Sequence, residues 1–191
     1  MSTNNKRKMR ETLKNVDQAE LAEATTLEDS INLAVSHNLK QSISDSSSNE
    51  DIDITVDETV VMISVSDKLL FNSGSYRVSS KAYDLLEKLA EVIKSEPTME
   101  VMVEGHTDDR TVVPGSHLQD NWDLSVRRAT SIIRLLQDKY GVDPSKLIAA
   151  GRSSFAPLVE NDSKENMAKN RRTRIVIIPN LDEFLALLDS Q

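Results

Sequence analysis

The chain has 191 residues, enough for one domain of ordinary size and an extension. Its formal net charge is −8, and because an acidic surface repels phosphate groups, nucleic acid is not expected as a partner. The absence of cysteine excludes disulfides, cysteine-ligated zinc, thiol catalysis and a lipidated cysteine anchor. No apolar run approaches the roughly 18 residues of a transmembrane segment, and no apolar stretch follows the basic start, so neither a membrane span nor an export signal is expected in this chain.

Residues 1–58 form an N-terminal arm by composition. Residues 1–44 contain neither proline nor glycine, and their apolar residues recur at a helical spacing that polar residues dilute. This pattern is compatible with a weak helix or coiled coil, through which copies of the chain would self-associate, and equally with a disordered tail. Residues 42–50, SISDSSSNE, have the composition of a flexible linker, and the acidic residues that follow as far as Glu58 keep the stretch solvated.

Residues 59–180 are expected to form a folded domain, because strand and helix patterns alternate there. A first helix follows the capping residues Ser79 and Ser80 and ends before Pro97, and a long second helix ends at Gly141. This alternation predicts an α+β fold with helices packed against a sheet. The other expected elements are strands over 60–65, 100–105, 147–150 and 175–178, a turn over 72–75, a loop over 106–120 and a short C-terminal helix within 181–191.

The long helix, expected over residues 122–140, places one arginine among apolar residues. Arg128 falls within an apolar row, whereas Arg127 lies on the opposite, solvated face. A guanidinium among apolar neighbours needs a partner for its charge, either a carboxylate of the same protein or one of a ligand, and periodicity alone favours the first. The helix carries one apolar stripe of Trp122, Val126, Ala129, Ile133, Leu136 and Tyr140, and a second row of Leu124, Ile132 and Leu135.

The loop over 106–120 begins with polar residues that directly follow a buried strand, where α/β folds place binding groups. A metal site is disfavoured, because no pair of residues has the spacing of a His-x-x-x-His or Glu-x-x-His motif. No metal or cofactor is therefore expected, and His106 is expected to hydrogen-bond locally. The residues weighed for the metal site are His106, Asp108, Asp109 and His117.

Catalysis and nucleic-acid binding are both disfavoured by the motifs. Ser125 and Ser153 lack the Gly-x-Ser-x-Gly turn of a hydrolase nucleophile, and no histidine is placed to activate them. The run Asn170–Arg174 is basic, but the chain around it is acidic and offers no nearby aromatic residues. We therefore expect a binding protein and not an enzyme, in which the basic run braces the sheet edge and the pocket.

Four motifs, taken in order, resemble the OmpA-like peptidoglycan-binding domain. That family includes the C-terminal domains of outer membrane protein A, the peptidoglycan-associated lipoproteins and the flagellar stator B subunit. The resemblance covers about residues 59–180, and the Asn-Trp-x-Leu-Ser motif with a lengthened loop before it is closest to the stator-like branch. The motifs are Gly105–Asp108 (GHTD), Asn121–Ala129 (NWDLSVRRA), Gly151–Ser153 before Pro157, and Asn170–Arg174 (NRRTR).

The resemblance implies an αβ sandwich, with a mixed sheet and helices on one side, that binds the peptide stem of the cell wall without catalysis. By position, Asp108 matches the family aspartate that takes the ammonium of diaminopimelate, and Arg128 the arginine that takes its carboxylate. The longer loop between Asp108 and Asn121 is expected to change access to the pocket or the stem chemistry accepted. Thr107, Asn121, Leu124 and Arg172 match positions that shape or support the pocket.

The sequence thus predicts non-covalent binding of peptidoglycan, which would anchor the envelope or an attached membrane component to the wall. By the same resemblance, the chain is expected in the periplasm, associated with the outer membrane or the cell wall. The alternative is a structural or oligomerisation module with the same fold that does not bind glycan.

Overall fold

The computed structural model describes residues 33, 37, 51–57, 60–72, 74–95, 99–113 and 117–179. Within these residues, five strands form one sheet in the order β1-β2-β5-β3-β4. The pair β3–β4 is parallel and the other neighbouring pairs are antiparallel, so the sheet is mixed, as expected. The strands are β1 (Ile52–Asp57), β2 (Val60–Ser66), β3 (Met99–Gly105), β4 (Leu147–Gly151) and β5 (Arg172–Pro179).

The helices within residues 51–179 include both that the sequence predicted. Ser79 accepts a hydrogen bond from the backbone N–H of Lys81 at 3.3 Å and so caps the 3₁₀ turn that leads into the first, and Gly141 follows the second with a φ of 68°. The structure also has two short helices that were not predicted, because their sequences show no clear helical periodicity of apolar residues. The helices are α1 (Asp67–Leu70), α2 (Tyr83–Ser95), α3 (Asn121–Asp138) and α4 (Lys164–Asn170), with 3₁₀ turns at Ser80–Ala82 and Pro144–Lys146.

Strand β1 lies in residues that composition assigned to the arm. It pairs antiparallel with β2, so the sheet begins at Ile52, ahead of the expected boundary at residue 59. Ile52 and Ile54 pack against the core, whereas Asp53 and Thr55 are exposed. Asp53, one of the acidic residues that indicated a solvated linker, therefore lies on the exposed side of an edge strand, where charge discourages pairing with another sheet.

The core lies between one face of the sheet and helices α2 and α3. Leu86, Leu89 and Ile93, on one face of α2, are buried in it, together with alternate residues of β2, β3 and β5. The long helix behaves differently, because Trp122 and Val126, at the start of its first apolar stripe, are exposed. Its buried residues near that end are Leu124, Ser125, Arg128 and Ala129.

The start of α3 sits close to the ends of β3 and β4 because both strands end in glycine. A Cβ on Gly105 would lie 2.3 Å from the carbonyl oxygen of Ser125, and one on Gly151 would lie 2.6 Å from the Ser125 hydroxyl. Backbone approach of this kind is available only to glycine. The two glycines thus place the first turns of α3 beside the loop that follows β3.

Two sequence-based expectations fall outside the described residues: the helical or disordered state of the arm over 1–50, apart from residues 33 and 37, and the C-terminal helix within 181–191. Across the described part of the chain, every helix is too short or too polar to traverse a bilayer.

Candidate functional site

All six residues that the resemblance assigned to a ligand pocket line one cavity of about 1090 Å³. They reach it from the loop after β3, from the first turns of α3 and from the start of β5. Six cationic and four acidic side chains line the cavity, so its wall carries an excess of positive charge although the chain is acidic. The ionisable lining residues are Lys68, Arg110, Arg128, Lys169, Arg171 and Arg172, with Asp51, Asp53, Asp67 and Asp108.

Asp108 is buried and held by two arginines. Its Oδ2 accepts from Nε and Nη2 of Arg110, at 2.9 and 2.7 Å, and from Nη1 of Arg171 at 2.7 Å. Burial raises the pKa of Asp108, but the hydrogen bonds from the two arginines outweigh it and hold the pKa below its usual value. Its Oδ1 accepts only the backbone N–H of Arg110, at 3.2 Å, among the described residues. Oδ1 of Asp108 therefore accepts one long hydrogen bond from the described residues, whereas Oδ2 accepts three.

Arg128 is 3% exposed and pairs with Asp67, the first residue of α1. Its Nη1 donates to Oδ2 of Asp67 and its Nε to the backbone carbonyl of Ser75 at 3.0 Å, while its guanidinium lies 5.1 Å from the centre of the Phe71 ring. Within the described part of the chain, its Nη2 has no hydrogen-bond partner. The salt bridge that helical periodicity favoured for Arg128 is thus present, with Asp67 as the partner. Both residues also line the cavity in which the resemblance placed Arg128.

Burial governs the electrostatics of this ion pair. It raises the pKa of Asp67 to about 6, against the opposing effect of the nearby Arg128 charge, and it lowers the pKa of Arg128. The Oδ1 of Asp67 is buried and lacks a hydrogen-bond partner among the described residues. Among the described residues, Asp67 is thus the one carboxylate that pairs with Arg128, and only its Oδ2 takes part in the pair.

The other predicted residues support the wall of the cavity. Thr107 donates its hydroxyl to the carbonyl of Asp108 at 2.9 Å, and Nδ2 of Asn121 donates to the carbonyls of Asp108 and Arg110, at 3.3 and 2.9 Å. Leu124 is buried beside them. Arg172 donates to the backbone carbonyls of Asn170 and Ala156 at 3.3 and 3.2 Å, and burial lowers its pKa. The two bonds of Asn121 fix the loop that carries Asp108 to the start of α3.

A second buried charged group lies at the end of β3. His106 is 1% exposed and its Nε2 lies 2.8 Å from Oε1 of Glu104, which confirms that it bonds locally. Nε of Arg152 donates to Oε2 of Glu104 at 2.8 Å, and Arg174 lies 3.5 Å from Oε1. The hydrogen bond from His106 is the largest effect that lowers the pKa of Glu104 to about 2. No group of three metal-ligating side chains occurs among the described residues.

Sequence reasoning did not identify two charged residues of the site, Asp67 and Arg110. Arg171 belongs to the basic run that was expected to brace the pocket, and it is the arginine of that run that reaches Asp108. The backbone N–H of Asp67 donates to the carbonyl of Arg171 at 3.1 Å, which joins the end of β2 to the start of β5. A charged residue directly after a buried strand was the available signal for Asp67.

A mixed sheet with helices on one face and a charged cavity at the strand ends is the class of domain that the motifs indicated. The sequence model of the OmpA family matches residues 70–171, more than half of the chain, so the chain belongs to the OmpA family. Both the predicted fold and the predicted family are confirmed.

Among curated proteins, the chain is 29% identical to motility protein B of Bacillus subtilis over 119 residues, which make up 62% of this chain and 45% of that protein. The chain thus spans about half the length of the curated relatives that it matches. Among solved structures, it is similar to the cell wall anchor of the type VI secretion system (T6SS) from Pseudomonas aeruginosa, with a TM-score of 0.64 and 29% identity over 74% of this chain and 96% of that one. A MotB-like protein from Desulfovibrio vulgaris shares the fold, with a TM-score of 0.71 and 23% identity over 90% of this chain and 98% of that one.

Proposed function

We propose that this domain binds peptidoglycan non-covalently through the stem peptide and so anchors an attached component to the cell wall in the periplasm. Membership of the OmpA family and similarity to motility protein B and to a cell wall anchor support this function. The observation that carries the proposal is the convergence of all six predicted residues on one cavity of about 1090 Å³. A cavity of this size accommodates a peptide side chain with part of its backbone.

Asp108 is the acceptor for the ligand ammonium in this proposal. The arginines on its Oδ2 keep it ionised, while Oδ1 receives only a 3.2 Å backbone bond and has lone pairs left for an ammonium. An ammonium placed there interacts with a full negative charge in a partly desolvated site, where charge-assisted hydrogen bonds are strong.

Arg128 is the donor for the ligand carboxylate. Asp67 and the Ser75 carbonyl fix the plane of its guanidinium and leave Nη2 to donate to the ligand. The excess of cationic side chains around the cavity favours a ligand with more carboxylates than ammonium groups. Diaminopimelate within a stem peptide meets this condition, because its side chain ends in a zwitterion and its neighbours carry free carboxylates.

The domain binds without turning over its ligand in this proposal. Ser125 and Ser153 are both buried, and the Ser125 hydroxyl is engaged by the Trp122 carbonyl and by the backbone N–H of Ser153. Neither serine contacts a histidine among the described residues, so no nucleophile is paired with a base there. Incubation with muropeptides, with and without divalent metals, is expected to release no new product by mass spectrometry.

A second candidate function is favoured by the internal pairing of Asp108 and Arg128. Both charges already have partners within the chain, as they would in a structural or oligomerisation module that does not bind glycan. Sedimentation with insoluble peptidoglycan sacculi distinguishes the two candidates. The wild type and the exposed-face control Arg127→Ala should pellet with the sacculi, and Asp108→Asn should stay in the supernatant. A wild type that stays in the supernatant supports the structural module.

A further inference from the structure

Two exposed aromatic side chains stack on each other beside the cavity. The ring centroids of Trp122 and Phe155 lie 5.6 Å apart with an interplanar angle of 29°, and the residues are 48% and 75% exposed. We call this pair the aromatic platform. Large apolar side chains exposed together mark interaction surfaces, because their burial against a partner is favourable.

The platform is held by a hydrogen-bonded turn and does not rest on flexible segments. Trp122 lies in the first turn of α3, where its carbonyl accepts the Ser125 hydroxyl at 3.0 Å. The same hydroxyl oxygen accepts the backbone N–H of Ser153 at 3.2 Å, and the N–H of Phe155 donates to the Arg152 carbonyl at 3.1 Å. The backbone that carries the two rings is therefore fixed before any ligand arrives, which lowers the entropic cost of binding.

Residues close to each ring in the sequence line the cavity. Asn121, next to Trp122, lines the cavity, and so does Leu158, three residues after Phe155 and 63% exposed. A ligand whose peptide occupies the cavity therefore continues towards the two rings. Neither ring lines the cavity itself, so the rings form a surface separate from the charged residues proposed to hold the peptide.

We propose that the aromatic platform binds the glycan strand of the wall by stacking against one face of an N-acetylated pyranose ring. This inference rests on the proposed function, because it assigns the sugar part of the same polymer to a separate surface. The axial C–H bonds of a pyranose carry partial positive charge and meet the negative face of an aromatic ring. The uncharged platform suits the uncharged face of a sugar, just as the charged cavity suits the zwitterionic peptide.

The platform has a built-in reporter, because Trp122 is the only tryptophan in the chain. We would titrate the full chain with chitotetraose, a peptide-free N-acetylglucosamine oligomer, and follow Trp122 fluorescence. Calorimetric titrations would then compare a disaccharide-linked stem peptide with the free stem peptide. The variants are Phe155→Ala, which removes an exposed ring and keeps the reporter, and the control Val56→Ala on β1, at the opposite edge of the sheet from β4 and 40% exposed.

Chitotetraose should change the Trp122 emission of the wild type and of Val56→Ala, and Phe155→Ala should need about fivefold more chitotetraose for the same change. Phe155→Ala should weaken binding of the disaccharide-linked peptide by about fivefold, in the range of an aromatic stacking contact, and leave affinity for the free peptide unchanged.

Equal affinity of wild type and Phe155→Ala for the disaccharide-linked peptide would overturn the inference. So would a concentration-dependent Trp122 emission that Phe155→Ala abolishes, because the platform would then bind a second copy of this chain. Failure of the proposed function is distinct, because the wild type would then not bind the free stem peptide.

Discussion

Arg128 in helix α3 donates a hydrogen bond to Asp67, which lies 61 positions earlier in the chain, at the end of strand β2. Both side chains are almost completely buried, yet both line the cavity that we assign to the stem peptide. The ion pair therefore has two effects: it ties α3 to the end of β2, and it orients the guanidinium proposed to receive the ligand carboxylate.

The ion pair predicts how stability depends on pH. Burial raises the pKa of Asp67 from 3.8 to about 6, so between these values the folded protein binds a proton that the unfolded chain has lost. The contribution of Asp67 to stability is then lost as pH rises through this window, by at most about 3 kcal/mol. Asp67→Asn cannot ionise, so the free energy of unfolding of this variant minus that of the wild type should rise from pH 4 to pH 7, whatever its sign at pH 4. Urea unfolding at a series of pH values measures this difference, and a difference that falls with rising pH contradicts the assignment.

Removal of one partner should cost more than removal of both. Arg128→Met leaves the Asp67 carboxylate buried without a counter-charge, and we expect a loss of about 3 kcal/mol or more at pH 7 and a smaller loss at pH 5, where Asp67 takes up a proton. The double variant Asp67→Leu/Arg128→Met should recover most of this stability. Denaturant titrations of the single and double variants form a double-mutant cycle. Strict additivity of the two changes would show that the pair is not coupled.

The glycines under α3 should be needed for binding as well as for folding. Gly151→Ala places a methyl group 2.6 Å from Val126 and from the Ser125 hydroxyl, so α3 has to shift. We expect a loss of about 1–3 kcal/mol and weaker binding of the stem peptide, because the start of α3 carries part of the site. Gly141→Ala is the matched control: its φ of 68° makes alanine costly by about 1 kcal/mol, but no atom lies within 4 Å of the added methyl. Gly141→Ala should therefore bind like wild type, and equal loss of binding in both variants would contradict this role of Gly151.

Sequence motifs led to six residues that line one cavity, but not to all of the charged residues that pair with them. The six predicted residues belong to short motifs that can be recognised from the sequence without knowledge of the fold. Asp67, in contrast, contacts Arg128 only because β2 and α3 pack together in the folded chain. The helix α1 that begins with Asp67 is too short to show a period.

Helical phase was only partly informative for α3. It distinguished buried Arg128 from exposed Arg127, but it placed Trp122 on the same stripe as the buried Ala129. The closeness of Gly105 and Gly151 to Ser125 determines which face of the first turns is buried, and this contact is not visible in a hydrophobic pattern. Strand β1 was missed for a similar reason, because the acidic residues around Ile52 and Ile54 indicated a solvated linker and outweighed their alternation.

Limited proteolysis tests the position of the domain boundary. Because β1 pairs with β2 along its length, and the Ser66 hydroxyl donates to Asp51 at 2.7 Å, the protected fragment should begin at or before residue 51. Mass spectrometry of the fragments gives the boundary directly. First cleavage between residues 52 and 57 would contradict the pairing of β1 in solution.

The central claim is that Asp108 and Arg128 hold the two charges of a zwitterionic side chain. Asp108→Asn is expected to keep the fold, since Arg110 and Arg171 both retain solvent contact, and Arg128→Lys keeps a charge for Asp67 but loses the planar fork. Circular dichroism confirms that each variant is folded. Arg127→Ala, on the exposed face of α3, is the control.

The most direct test is calorimetric titration of two stem peptides that differ at one residue, diaminopimelate or lysine, since lysine keeps the ammonium and lacks the carboxylate. The wild type and Arg127→Ala should bind the diaminopimelate peptide at least about tenfold more tightly than the lysine peptide, the value of one charge-assisted contact. Arg128→Lys should lose most of this preference, and Asp108→Asn should bind both peptides weakly. An unchanged preference in Arg128→Lys, or its loss in Arg127→Ala, would contradict the assignment of the carboxylate to Arg128.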